Sequence, residues 1–568
     1  MTVKFSTHGG YYQSGPSQGP DSYALAGRIF NPPADRPYQD TLTQLAHNPN
    51  LANDLESDLA LAYYFSYADQ MFLLRDGCGL TPLFYAKKGP GWAFAFTLDE
   101  LFKILGQTPE IDEQTFYDFT ATHYRYVFRD PGRAFHQGVR QVVAGHYLLL
   151  DREQAIEKRW LKMDFAPEPS KASPQQASER YVELLDQNVN IRLKALENEN
   201  IAFTISSGLD SSTVAALAAR KLKGPLNCFF AAYSEQANSP YDESQGVNDL
   251  IKATGWHLNR IDLGAPDLLK ETENLLKITK APIITVTWLA HYVLAKNAYE
   301  QGHRYLFSGL GGDESLAGEF EHFFCFFADL KDQGLNELLA TETEAWVKLH
   351  DHPVFKKSPE VRDEWFRRWV DFKNKRLKVN IDRYSQNQQY FNQEWIKQME
   401  SQAPPIPMPH PYPWFLSNRL YQEMNYETST PTLWSEALSS QAAGVKGIFP
   451  MASPKLLSLA LNLPGTFKYQ NGLTKMILRR ALKGILPDSS RLNPVKTGFN
   501  APLDLWLLEP KLSADCLELL TSSPFKDKHW LAPKAAERII KEHKSGLKNH
   551  MMLLWPLICS AIFLKINR

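Results

Sequence analysis

Cysteine is scarce. The 568 residues hold five, at Cys78, Cys228, Cys325, Cys516 and Cys559, and no two form a CxxC pair. That spacing excludes a zinc ribbon and a disulfide framework, and it suits a reducing cytoplasm. A charge excess is also missing: 62 Lys and Arg face 63 Asp and Glu, leaving a formal net charge of −1. No basic field therefore points to nucleic acid. Long hydrophobic runs are absent too. The most apolar stretch, 551–564, is interrupted by Pro556 and is too short to span a bilayer; it reads as a buried helix. The opening MTVKFSTHGG lacks the apolar core of a signal peptide. A soluble, cytoplasmic chain of two to four domains is expected, with no nucleic-acid partner and no membrane span.

The chain divides by rhythm. Residues 1–165 are rich in short apolar runs bounded by turn residues, such as 60–64, 71–74 and 145–150, which predict strands. A Pro/Ser/Ala-rich linker follows at 165–178. Beyond it, Val182, Leu185, Val189 and Leu193 recur at helical spacing. Strands are then expected at 201–205, 226–232, 259–263 and 304–307, alternating with helices. That alternation predicts a parallel sheet covered by helices. Residues 320–430 break the pattern and end in six prolines between Pro404 and Pro413. They read either as an irregular connector or as an insertion over a pocket.

Three segments carry the chemistry. Ser206-Ser207-Gly208-Leu209-Asp210-Ser211-Ser212 follows a strand and opens a helix. Such a turn aims backbone N–H groups at one point, and the helix N-terminus adds positive partial charge, which suits phosphate. Asp210 would repel phosphate unless a Mg²⁺ ion bridges them. Ser308-Gly309-Leu310-Gly311-Gly312-Asp313-Glu314 follows a second strand; its glycines, Gly311 and Gly312 among them, permit close backbone approach, and Asp313 is a second candidate Mg²⁺ ligand. The third segment is Lys496-Thr497-Gly498-Phe499, with Pro502 and Trp506 downstream.

In this order and spacing the three segments resemble the SGGLDSS loop, the GxGxDExxxG segment and the KxGFxxP stretch of the asparagine synthetase superfamily. The resemblance implies an α/β fold with an ATP pyrophosphatase domain over 179–568, carrying a helical insertion at 320–430. It implies ATP and Mg²⁺, pyrophosphate bound by Ser206–Ser212, and Lys496 in contact with the polyphosphate and the reacting centre. One residue departs: Ser207 stands where the family has glycine. Upstream, Arg75-Asp76-Gly77-Cys78-Gly79-Leu80-Thr81-Pro82-Leu83-Phe84-Tyr85 resembles the RDxxGxxPLxY signature of class II glutaminase domains, and Val143-Ala144-Gly145-His146 its later PGH turn. An αββα sandwich over 1–165 is therefore implied.

Further departures shape the functional expectation. Glutaminases of this type attack with an N-terminal cysteine exposed by removal of Met1; here position 2 is Thr2, and the Asn-Gly oxyanion pair aligns with Ala26-Gly27. A degenerate glutaminase scaffold is implied, as in β-lactam synthetases and lasso-peptide cyclases. In the GVExRxPFLD pocket segment, Lys446 replaces the acid and Ile448 the arginine. The tyrosine of lactam-forming relatives aligns with Leu310. Lys446 is expected to bind a substrate anion, with service as a base and a bystander place at the surface as the alternatives. The implied activity is adenylation of a carboxylate, releasing pyrophosphate, then transfer to an amine or ammonia without glutamine hydrolysis. Lactam or macrolactam formation leads the readings; amidation of aspartate or of a glycan uronic acid, and a nucleotide-binding pseudoenzyme, are the alternatives. The partners expected are a small-molecule or peptide substrate, and either a homodimer or a biosynthetic partner protein.

Overall fold

The computed structural model describes residues 2–6, 8–13, 21–165, 172–237, 239–264, 268–349, 357–378, 387–494 and 501–567. The N-terminal part contains strands β1 (Thr2–Ser6), β2 (Gly9–Gln13), β3 (Ser22–Ala26), β4 (Ala60–Phe65), β5 (Gln70–Arg75), β6 (Phe84–Lys88), β7 (Gly91–Ala95), β8 (Val139–Gln141), β9 (His146–Leu150) and β10 (Ala155–Arg159). They form two antiparallel sheets, ordered β1-β2-β7-β6-β8 and β10-β9-β5-β4-β3.

Strand β4 explains the layering. Successive side chains of a strand point to opposite faces, and here every residue is buried. Ala60, Ala62 and Tyr64 pack with Tyr12, Phe94 and Leu148 between the sheets. Leu61, Tyr63 and Phe65 pack outward against Leu42 and Leu45 of the helix Tyr38–His47. On the opposite outer face, Ala93 and Ala95 of β7 meet Leu98, Leu101 and Phe102 of the helix Leu98–Leu105. The result is the expected αββα stack.

The second part is built on a parallel sheet. Its strands are β11 (Ile201–Thr204), β12 (Asn227–Ala232), β13 (His257–Asp262) and β14 (Tyr305–Phe307). Strands β15 (Val370–Asp371) and β16 (Arg376–Leu377) form a separate small hairpin, and β17 (Lys446–Ile448) completes the main sheet in the order β13-β12-β11-β14-β17. Four of these five strands fall where the apolar runs predict them. The fifth, β17, is three residues long and gives no periodic signal.

One expectation on organisation is corrected. The first helix of this part begins at Pro174, inside the expected linker, and runs to Ala195. Proline is tolerated at the first helical position, and Ser173 with Gln176 forms a reciprocal capping box. The segment 320–430 is the helical insertion that the resemblance implies, not an irregular connector. It holds helices His322–Asp332, Asn336–Leu349, Pro359–Trp369, Gln393–Gln402 and Phe415–Tyr426. Phe323, Phe326, Phe327, Trp346, Leu416 and Tyr469 give it an aromatic core. The apolar run near the end is the buried helix Met551–Ile566. Among the described residues no helix is long and apolar enough to cross a membrane.

The two parts are joined by buried charge. Arg192, on the helix Pro174–Ala195, lies 3.5 Å from Glu56 of the N-terminal sandwich and sits over the Phe30 ring. Glu56 also accepts a hydrogen bond from Ser453 at 3.2 Å. The Arg192 side chain is 2% exposed, so removing its counter-charge strands a cation out of water. Glu56→Ala is expected to destabilise the chain by about 3–5 kcal/mol. Denaturant unfolding followed by tryptophan fluorescence measures this; a midpoint equal to wild type would contradict it.

Candidate active site

The site forms where two loops leave the carboxyl ends of β11 and β14, the position at which open α/β sheets bind ligands. The first loop is internally braced. The Ser206 amide donates to Ser211 Oγ at 3.1 Å, the Gly208 amide to Ser206 Oγ at 3.1 Å, and Ser212 Oγ to the Gly208 carbonyl at 2.8 Å. Gly208 then caps the helix Leu209–Ala219. Ser207 does not crowd this loop. Its hydroxyl donates to Glu243 at 3.0 Å, and its Cβ faces the bare backbone of Gly246, where an added carbon would lie at 2.7 Å.

Glycines set the second loop directly on the first. A Cβ on Gly309 would meet the Ser211 nitrogen at 2.4 Å, and one on Gly312 would meet the Asp210 carboxylate at 2.3 Å. Gly311 adopts φ +103°, which an L side chain strongly resists. The Gly311 amide donates to Glu314 at 3.0 Å. Burial, then the charge of Asp313, pushes the Glu314 carboxyl up to about 7.

Asp210 and Asp313, the two expected acids, are brought together by a residue that sequence reasoning missed. The Lys475 ammonium donates to Asp210 and lies 2.7 Å from Asp313. Its side chain is 5% exposed. Lys475 precedes the helix Met476–Ala481 with a left-handed backbone, φ +54°. For a non-glycine residue that conformation costs energy, and surrounding contacts must hold it. A lone lysine far along the chain offers no local signal of this role.

Ser206 to Ser211, Leu310, Asp313 and Lys475 line one cavity of about 570 Å³. Its other wall comes from elsewhere in the chain. Tyr124 and Arg125 belong to the N-terminal sandwich, Phe320, His322, Phe323 and Glu423 to the insertion, and Trp288 and His291 to the helix Val286–Glu300. Arg125 pairs with Glu321 at 2.6 Å, tying sandwich to insertion at the cavity edge. Burial raises the Glu423 carboxyl, but Arg419 and His322 outweigh it and bring its pKa down to about 2. Ser212 and Gly312 stand behind the lining and brace it. Lys496, with Thr497, Gly498 and Phe499, lies outside the described residues.

Lys446 requires a correction. It begins β17, at the end of the sheet opposite the two loops, and does not line the cavity. Its ammonium donates to Thr81 Oγ1 at 2.8 Å and lies 3.3 Å from Asp58, both in the sandwich. Asp58 is 4% exposed and also accepts from the Arg28 amide at 2.9 Å. Lys446 is thus an interdomain counter-ion, with its charge already matched. The segments that resemble the glutaminase motifs converge on the same junction. A Cβ on Gly27, φ +76°, would meet the Asp58 carbonyl at 1.8 Å. Arg75 is buried and donates to the carbonyls of Gly79, Thr81 and Val142. Cys78 is held here too, and burial pushes its thiol well up, so it supplies no ready thiolate.

The parallel sheet, the braced phosphate loop and the carboxylate pair define a nucleotide-activating domain of the ATP pyrophosphatase kind. The asparagine synthase family model matches residues 180–566, and the glutamine amidotransferase domain model matches 45–161. The chain belongs to the asparagine synthase family, whose members are ATP-dependent carbon–nitrogen ligases. It is 23% identical to a candidate glutamine-hydrolyzing asparagine synthetase of Mycobacterium tuberculosis, over 96% of this chain and 84% of that one. It is 21% identical to glutamine-hydrolyzing asparagine synthetase 3 of Bacillus subtilis, over 76% and 66%. It is 24% identical to amidase chyE of Penicillium rubens, over 49% and 41%.

Replacing Lys446 with methionine is expected to leave the kinetics of adenylation unchanged while lowering stability by about 1–3 kcal/mol, because Asp58 loses its cation. Pyrophosphate release and thermal unfolding, measured on Lys446→Met, check the two halves separately. A raised KM for the carboxylate would restore Lys446 to the substrate site.

Proposed function

We propose that the chain adenylates a substrate carboxylate and passes the acyl group to an amine supplied as such, without hydrolysing glutamine. The observation that carries this reading is the Asp210–Lys475–Asp313 cluster set against a braced phosphate loop at one cavity. A carboxylate oxygen attacks the α-phosphorus of ATP, the bond to the β-phosphate oxygen breaks, and pyrophosphate leaves with the electron pair. The amine then attacks the acyl carbon, AMP departs, and an amide remains. The backbone amides and hydroxyls of Ser206–Ser211 bind the departing pyrophosphate. Lys475, a fixed and buried cation, offsets charge that grows on the phosphorus. Lys496 adds a second cation if the resemblance of its segment holds.

Asp210 and Asp313 carry two negative charges against one on Lys475, and among the described residues no three His, Cys, Asp or Glu gather to hold a metal ion. That donor set fits Mg²⁺, which binds through one or two carboxylates plus phosphate oxygens rather than an all-protein cage. The ion would supply charge neutralisation on the polyphosphate.

The absence of a glutaminase step rests on Thr2 and Ala26 at the positions of the cysteine and asparagine, and on the raised thiol of Cys78. A substrate larger than aspartate, such as a peptide or natural-product precursor closed to a lactam or macrolactam, is supported by the cavity wall of Tyr124, Trp288, Phe320 and Phe323. Those rings suit an apolar body beyond the reacting carboxyl. Amidation of aspartate by ammonia is the second reading, favoured by the asparagine synthetases among the relatives.

The test is product analysis by phosphorus NMR with L-aspartate, glucuronate and carboxyl-bearing peptides, each with ammonium or with glutamine. AMP and pyrophosphate are expected, with ammonium supporting turnover and glutamine not. ADP as the main product would sink the adenylation step, and glutamate release abolished by Thr2→Ala would sink the amine-source step. No nucleotide turnover with any carboxylate would leave a nucleotide-binding protein. In the same assay Lys475→Met is expected to lower kcat about 100-fold or more with ATP still bound. Turnover near wild type would remove Lys475 from the mechanism.

A further inference from the structure

A departing pyrophosphate gains charge faster than the amides of one loop can answer it, so the cations at the cavity matter. Among the described residues, the lysines and arginines that line it are Arg125, Lys475 and Arg479. Arg125 pairs with Glu321 at 2.6 Å, at the edge where sandwich meets insertion. Lys475 is committed to two carboxylates: its ammonium donates to Asp210 and lies 2.7 Å from Asp313. It lends the site its field, but its hydrogen bonds are directed at the protein.

Arg479 is built differently. It lies on the helix Met476–Ala481 and is 5% exposed. Its Nε donates to the Thr474 carbonyl at 2.8 Å, and its Nη1 to the Arg491 carbonyl at 2.6 Å. Arg491, on the helix Asp488–Arg491, returns the contact: its Nη1 donates to the Arg479 carbonyl at 2.6 Å, and its Nε donates to Asp488 at 2.9 Å. The two arginines clasp each other's backbone. Nη2 of Arg479 has no protein partner among the described residues, and the side chain forms part of the cavity wall. Burial draws its pKa down to about 10, with the Asp210 carboxylate opposing, so it is a cation at neutral pH.

Binding through a long side chain normally costs the entropy of ordering it. Here folding has already fixed the guanidinium, and its planar fork suits phosphate oxygens. The bond to Thr474 has a second effect. It pins the peptide that enters Lys475, whose left-handed backbone must be held by its surroundings.

We propose that Arg479 grips the phosphate chain that leaves as pyrophosphate, through Nη2, with Arg491 as its positioning residue. This rests on the ligase reading above. As the carboxylate oxygen bonds to the α-phosphorus, the bond from that phosphorus to the bridging oxygen breaks and its electron pair goes to pyrophosphate. A cation fixed beside the loop meets that charge as it grows. Arg479 stays protonated throughout, and no proton moves through it.

The experiment uses the full chain. Its probe is magnesium pyrophosphate, with AMP as the control, each followed by calorimetric titration, and thermal unfolding verifies that each variant is folded. Arg479→Gln is expected to weaken pyrophosphate about 10- to 100-fold and to leave AMP within about twofold. Arg479→Lys, which keeps the charge and loses the fork, should fall between. Arg491→Gln, which loosens the guanidinium without removing it, should weaken pyrophosphate by less than Arg479→Gln, with AMP again unchanged. A parallel loss of pyrophosphate and AMP in folded Arg479→Gln marks a structural residue and overturns the proposal, as does no loss of either. Should the variants fail to fold, a crystal structure of the wild-type chain with pyrophosphate decides: Nη2 hydrogen-bonded to a phosphate oxygen is expected, and pyrophosphate seated in the cavity without that bond overturns the proposal. Either failure leaves the ligase reading in place. Products other than AMP and pyrophosphate, with pyrophosphate still lost in Arg479→Gln, overturn the ligase reading and leave the polyphosphate contact standing.

Discussion

The synthetase half depends on one shared cation. Asp210 heads the helix after β11, and Asp313 heads the turn after β14; two like charges so placed would drive the loops apart. Lys475 enters from a third, distant segment and pairs with both. The glycines at 309 and 312 exist for the same closeness, since a methyl group at either would collide with the first loop. The left-handed backbone of Lys475 is the local cost of delivering its ammonium there. Loop apposition, carboxylate spacing and the positive charge for phosphate chemistry are therefore one arrangement.

Buried charge also ties the N-terminal sandwich to the synthetase half. The helix Pro174–Ala195, which packs under the synthetase sheet, carries Arg192, which pairs with Glu56 of the sandwich. Lys446 at the start of β17 is matched by Asp58 in the same way. At the cavity, Tyr124 and Arg125 close a side that the parallel sheet leaves open. Buried charges whose partners lie across the junction make the two parts interdependent. The sandwich thus has a structural role in holding the synthetase half together.

The sequence shows most of the frame and half of the site. Ser206–Ser212 and the run from Ser308 to Glu314 are legible because dense glycine and serine between a strand and a helix has few structural uses other than close approach to a ligand. Strands β11 to β14 are legible as short apolar runs. Lys475 is not, because its meaning depends on two partners remote in the chain, and nothing in Thr474-Lys475-Met476 marks it. Lys446 misleads for the complementary reason: a motif aligned to relatives gives it a substrate-facing role, whereas the orientation of β17 points it into the domain junction. The helices of 320–430 are expected only through the family resemblance, because proline and aromatic residues that pack on one another hide any clean amphipathic stripe.

The cavity then divides by chemistry along its length. At the loop end, fixed positive charge and backbone amides meet two carboxylates, a combination suited to a polyphosphate that arrives with a cation. At the far end Glu423 pairs with Arg419 and lies against His322, and Glu321 at the edge pairs with Arg125. Beside those pairs stand Tyr124, Trp288, Phe320 and Phe323. Such a surface offers shape and apolar contact next to the charged loop end.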